Sequence, residues 1–68
     1  MYRISVESSN IKSVGFDSNT LEIEFLSGGI YQYFDVPTEV YHLFMNASSK
    51  GKFFHKFIRN NYSYKQIS

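Results

Sequence analysis

Apolar and polar positions alternate along the first half of the chain, and apolar positions recur at helical spacing along the second. The clearest alternation runs from Thr20 to Leu26, with Leu21, Ile23 and Phe25 on one face and Glu22 and Glu24 on the other. A period of two puts successive side chains on opposite faces of a strand, so this segment reads as a strand with one face buried and one wet. Ser27-Gly28-Gly29 follows as a hairpin turn in which glycine supplies a positive φ. Ile30 to Phe34 then returns as the partner strand, with Tyr31 and Tyr33 on one face and Ile30, Gln32 and Phe34 on the other. Both faces carry rings, so period alone leaves open which is inside. Upstream, Tyr2–Val6 and Ile11–Phe16 are shorter β-prone runs, the second closed by the turn residues Asp17-Ser18-Asn19.

Val36-Pro37-Thr38 ends the sheet signal. Thr38 is the expected N-cap of a helix over Glu39–Asn46, with Glu39 suited to its positive end and Val40, Leu43, Phe44 and Ala47 at helical spacing. Ser48 or Ser49 is expected to cap a second helix over Lys50–Asn60. Its apolar stripe is Phe53, Phe54, Phe57 and Ile58; its polar stripe is Lys52, His55, Lys56 and Arg59. Tyr62 and Tyr64 fall in a short tail. The order of elements predicts an α+β domain: a three- to four-stranded antiparallel meander with two short helices on one sheet face. Leu21, Ile23, Phe25, Phe44, Phe54 and Phe57 are the expected core.

Length and composition narrow this picture. Sixty-eight residues allow one domain, taken as 1–68, and a chain this short buries only roughly 60% of its unfolded surface. There is no cysteine, so disulfides and Cys-ligated metals are excluded. Seven Phe and six Tyr take over the stabilising role, since each ring buries roughly 150–250 Å². No apolar run approaches the ~20 residues of a membrane span, and MYRISVESS lacks a signal-peptide apolar region, so a cytoplasmic protein without membrane contact is expected.

Charge adds an asymmetry. Residues 1–45 carry two bases against six acids, a net of −4, whereas residues 46–68 carry Lys50, Lys52, Lys56, Arg59 and Lys65 with no acid, a net of +5. A basic, aromatic-rich block of this kind suits a polyanion.

Four strings in this order, SSNIKSVGFD, TLEIEFLSGGIYQY, VPTEVYHLFMNA and SKGKFFHKFIRNNY, resemble the KTSC domain over about residues 5–67. That family is named after the C-terminal region of some lysyl-tRNA synthetases and also occurs as small stand-alone proteins of bacteria and their phages. Its central Tyr-x-Tyr matches Tyr31-Gln32-Tyr33, and its SKGKFF segment matches Ser49–Phe54. The resemblance implies a link to RNA through the tRNA-charging enzyme. No synthetase catalytic region accompanies the match here, so the link is one of context.

Three groups of residues are candidates for binding. Ser48, Ser49, Lys50, Gly51 and Lys52 open the second helix, where free N–H groups, hydroxyls and ammoniums would suit a phosphate; the plainer reading is a serine cap with solvated lysines. Lys52, His55, Lys56 and Arg59 span roughly 10 Å of helix, enough for two phosphates of one strand; the plainer reading is the wet side of an amphipathic helix. Lys65 extends the basic set. Tyr31 and Tyr33, or Tyr62 and Tyr64, could stack bases; the alternative is that they close the core.

Catalytic signals are weak. His42 and His55 match no metal spacing and GxSxG is absent. The expectation is a non-enzymatic module without cofactor or metal, binding RNA or another polyanion. The alternative is a protein–protein interaction module that docks on a host factor or inhibits it. A third option is a small phosphorylated ligand at Ser48–Lys52.

Overall fold

The Asp17-Ser18-Asn19 turn sets the register of the sheet. The computed structural model, which describes residues 1–68, places Ser18 and Asn19 at φ 50° and 64° with Asp17 paired to Thr20. Two successive positive φ values make a turn whose twist matches that of the strands it joins. It connects β2 (Ile11–Asp17) to β3 (Thr20–Phe25). Across the pair Val14 faces Ile23 and Phe16 faces Leu21, which gathers their side chains on one face. The Ser27-Gly28-Gly29 turn then leads into β4 (Ile30–Tyr33), with Gly28 at φ 112° and the Phe25 N–H donating to the Gly29 carbonyl at 2.9 Å. Leu21 pairs with Tyr33 and Ile23 with Tyr31, so both tyrosines join the apolar face.

The sheet has five strands rather than three or four. β1 (Ile4–Ser5) lies on the outer edge of β2, and β5 (Tyr64–Gln66) returns along β4, giving an antiparallel meander in the order β1-β2-β3-β4-β5. The segment expected as a tail is therefore an edge strand. Main-chain bonds hold it: the Phe34 N–H donates to the Ser63 carbonyl at 2.9 Å, and the Ile67 N–H to the Ile30 carbonyl at 2.8 Å.

Helix α1 (Thr38–Met45) begins one residue before the expected position. Pro37, at φ −62°, already has the angle a helix needs, and its carbonyl accepts from the Val40 and Tyr41 N–H groups. Thr38 is thus the first helical residue and caps nothing with its side chain. Helix α2 (Lys50–Phe53) is capped by Ser49, whose hydroxyl accepts from the Lys52 N–H at 3.3 Å. Beyond one turn it widens into a π-helical segment, Phe54–Ile58, in which the Arg59 N–H donates to the Phe54 carbonyl at 2.9 Å.

Both helices pack on the apolar sheet face. The core is Ile11, Val14, Leu21, Ile23, Tyr33, Val36, Phe44, Phe54 and Ile58. Phe16 stacks on Tyr41 of α1 with ring centres 4.4 Å apart. Phe25 is half-buried, and Phe57, expected inside, is 45% exposed. The π turn accounts for this. It keeps Phe54 and Ile58 on the sheet, while Phe57 leans on Phe53 at 4.8 Å along the outer edge.

The opposite sheet face also departs from expectation. Glu22 is only 3% exposed, so its face is not simply wet. Arg3 reaches across from the N-terminal strand to pair with it, and the Gln32 side-chain amide donates to its other oxygen at 2.8 Å. The Arg3 Nε–H donates to Ser13 Oγ at 3.0 Å, and that hydroxyl donates to Glu24 at 2.9 Å. Burial alone pushes the Glu22 carboxyl up, but the bonds from Gln32 and Arg3 and the adjacent positive charges outweigh it and hold the carboxyl below its ordinary range.

Candidate functional site

The fold sorts charge between its two sides. All three ion pairs involve Arg3 or Lys12 with Glu22 or Glu24 of β3. Lys50, Lys52, Lys56, Arg59 and Lys65 have no carboxylate within ion-pair distance. At the start of α2 the Lys52 N–H bonds to the Ser49 hydroxyl, and no carboxylate ion-pairs with Lys50 or Lys52.

The sequence-predicted residues do not form one surface. Lys65 sits opposite Gln32 in the β4–β5 register, on the polar sheet face with Glu22, away from the helices. Lys52, His55, Lys56 and Arg59 are all exposed on the α2–π arm. The Lys56 ammonium lies 5.3 Å from the centre of the Phe57 ring, a cation–π contact that partly shelters that exposed aromatic. Arg59 is held by its neighbour: its Nη1 lies 3.3 Å from His55 Nδ1, one helical step away.

At the start of α2 the plainer reading accounts for the serine. Ser49 spends its hydroxyl on the cap, Ser48 is exposed, and Gly51 lies against the Asn10 side chain. With four residues, α2 offers one turn of backbone and no extended dipole.

The aromatic candidates divide. Tyr33 is buried at 4% exposure, and its phenol is pushed up to about 12 by burial and by the neighbouring Tyr31 and Tyr64, with Arg59 opposing. Tyr31 is half-buried beside it, and Tyr62 packs against the core. Tyr64 is 60% exposed on β5, with its ring 5.6 Å from Tyr33 and 6.0 Å from Tyr31.

These rings floor a cleft of about 500 Å³ between the sheet and the π segment. Phe25, Tyr31, Tyr33, Phe54 and Tyr64 give it an aromatic lining, and Asn10, Ser27, His55, Arg59 and Asn60 give it a polar one. The cleft was not visible in the sequence, because it depends on β5 bringing Tyr64 beside Tyr31. Of the predicted residues it unites Tyr31, Tyr33, Tyr64, His55 and Arg59.

No group of three or more His, Asp or Glu side chains is placed to hold a metal. His42 lies on α1, exposed beside Tyr41. No helix is long and apolar enough to cross a membrane.

Comparison with known proteins gives the family. A KTSC domain protein of Yersinia pestis has a crystal structure that superposes with a TM-score of 0.94 at 42% identity, covering 98% of this chain and 97% of that one. The lysine–tRNA ligase of Trichormus variabilis is 47% identical over 64 residues, which is 91% of this chain and 11% of the ligase. This chain thus spans about a ninth of the ligases it matches. An uncharacterized protein of Stutzerimonas stutzeri is 37% identical over 98% of this chain and 99% of its own length. With the KTSC family model matching residues 7–62, the five-stranded sheet and its two helices belong to the KTSC domain family.

Proposed function

We propose that this domain is a non-enzymatic binding module for RNA. It grips the phosphate backbone with Lys50, Lys52, Lys56 and Arg59 on the α2–π arm. The observation that carries this reading is the set of C-terminal cations left without carboxylate partners, while every ion pair of the domain joins Arg3 or Lys12 to a glutamate of β3. Unpaired cations on one arm project a positive potential that draws a polyanion at long range. The exposed ring of Tyr64 beside Arg59 supplies a stacking surface within reach of the same strand. Relatives named lysine–tRNA ligase, which carry this domain as a small part of a longer chain, support RNA over other polyanions by context. Lys65, on the other face of the sheet, takes no part.

The test is charge reversal. A Lys52→Glu, Lys56→Glu double variant should weaken binding to tRNA and to single-stranded RNA by at least tenfold in fluorescence anisotropy, with unchanged circular dichroism. Unchanged affinity in a folded variant would refute the assignment.

A protein-docking module is the second reading. Leu43 and Phe57, at 62% and 45% exposure on the helical layer, favour it, since apolar side chains left open there suit a protein contact.

A further inference from the structure

Building on the RNA-binding reading, we propose that the cleft between the sheet and the π segment receives one unstacked base of a single strand, stacked on Tyr64, with the adjoining phosphate on Arg59. Three observations converge on this ligand. The first is size and lining. About 500 Å³ falls within the range of small-molecule sites and has room for a single nucleotide. Its walls pair flat aromatic surface with the amides of Asn10 and Asn60 and the hydroxyl of Ser27, the groups that meet the edge of a base.

Charge is the second observation. The cleft is lined by a guanidinium and an imidazole and by no carboxylate, so it suits an anionic ligand and repels a cationic one. Arg59 has no acidic partner of its own, and its contact with His55 fixes the direction of the guanidinium. A phosphate at the mouth would complete its unfilled hydrogen-bonding positions.

The third is construction. Tyr64 is propped from behind by Tyr31 and Tyr33 and left 60% exposed, which holds a flat ring open at the cleft. The opposite wall is the π segment, a rare helical form concentrated at functional sites. In it Phe54 packs on Phe25 and Tyr33 at the back of the cleft, while His55 and, just past its end, Arg59 reach the lining.

The experiment compares, on the unaltered domain, a labelled single-stranded RNA with the same strand carrying abasic sites, and with an RNA duplex of equal length. The expected result is that the intact strand binds about fivefold or more tighter than the abasic strand, the scale of one stacked base. Tyr64→Leu should remove that preference, so that the intact strand binds no tighter than the abasic one. Equal affinity for intact, abasic and duplex RNA would overturn the base pocket while leaving phosphate-driven RNA binding standing. Absence of binding to all three would overturn both and favour the protein-docking module. The comparison of strands requires no variant, so a Tyr64→Leu protein that fails to fold does not blunt the test.

Discussion

Arg3→Met isolates the contribution of the buried network on the polar sheet face. The substitution keeps an unbranched stem over the sheet and removes the guanidinium. Glu22, 3% exposed, then retains only the Gln32 amide at 2.8 Å, and Glu24 loses a charge 3.8 Å away. Breaking a buried ion pair costs about 3–5 kcal/mol. Two features lower the figure. The Arg3 side chain is 26% exposed, so water replaces part of what it gave. The stranded carboxyl can also take up a proton, which for an unperturbed pKa near 4.3 costs about 3.7 kcal/mol at pH 7 and sets a ceiling. The expected loss is about 2–3 kcal/mol at pH 7. A domain of this length has roughly 3–10 kcal/mol in all, so the loss is large.

The sign of the pH dependence is a sharper check. In the native domain the Glu22 pKa lies below its unfolded value, so its contribution is full above the ordinary carboxylate range and is lost as pH falls through the folded pKa. In Arg3→Met burial acts with less opposition and the carboxyl shifts upward, so the variant gains relative stability as pH falls from 7 toward 4.5. Urea unfolding followed by tyrosine fluorescence reads both effects. Arg3→Met with Glu22→Gln should recover more than half of the loss, because a neutral amide needs no counter-charge. A loss below about 0.5 kcal/mol at pH 7, or a gap that fails to narrow in acid, would show that Arg3 does not hold the Glu22 carboxylate in place.

Three further outcomes follow from the packing. Ile58→Ala, at a fully buried site, should cost about 2–5 kcal/mol, whereas Phe57→Ala, at the preceding residue but 45% exposed, should cost about 1 kcal/mol or less in the same urea assay. Gly15→Ala would put a methyl 2.6 Å from the Tyr2 carbonyl oxygen, so β1 should be pushed off the sheet at a cost of about 1–3 kcal/mol, read as faster hydrogen exchange where it pairs with β2. Tyr33, with a folded pKa raised to about 12 from 10.0, gives stability that is complete below pH 10 and lost as pH rises toward 12, on the order of 2 kcal/mol; tyrosinate absorbance should show one phenol ionising after the rest.

The strands Thr20–Phe25 and Ile30–Tyr33 were legible because their alternation is local, and the turn at Ser18-Asn19 because its backbone demands are local too. β5 was obscured by its exposure. All three of its residues face solvent to a large degree, so it lacks a run of buried apolar positions, and it is held by main-chain bonds to a strand some 30 residues earlier. Its one trace in the sequence is the alternation Tyr62, Tyr64, Gln66. The burial of Glu22 was hidden for a related reason. Period two assigns a side chain to a face, but whether that face is covered depends on Arg3, 19 residues away. Phe57 was misplaced because a 3.6-residue period does not hold through a π turn. For the candidate site, counting charges was enough to find the basic arm. The cleft required knowing that β5 folds back, and the separation of Lys65 from the other cations required knowing its register.

Whether Lys50, Lys52, Lys56 and Arg59 hold RNA phosphates, as proposed, is decided by the salt dependence of affinity. Each phosphate neutralised on a single strand releases counterions and adds about −0.7 to the slope of log K against log salt, so four contacts predict a slope of roughly −3. Lys56→Ala should make it shallower by about 0.7 and weaken all sequences alike, because phosphates carry no base identity. A slope near zero, or no detectable RNA binding at ~50 mM salt where electrostatic attraction is barely screened, would contradict the account.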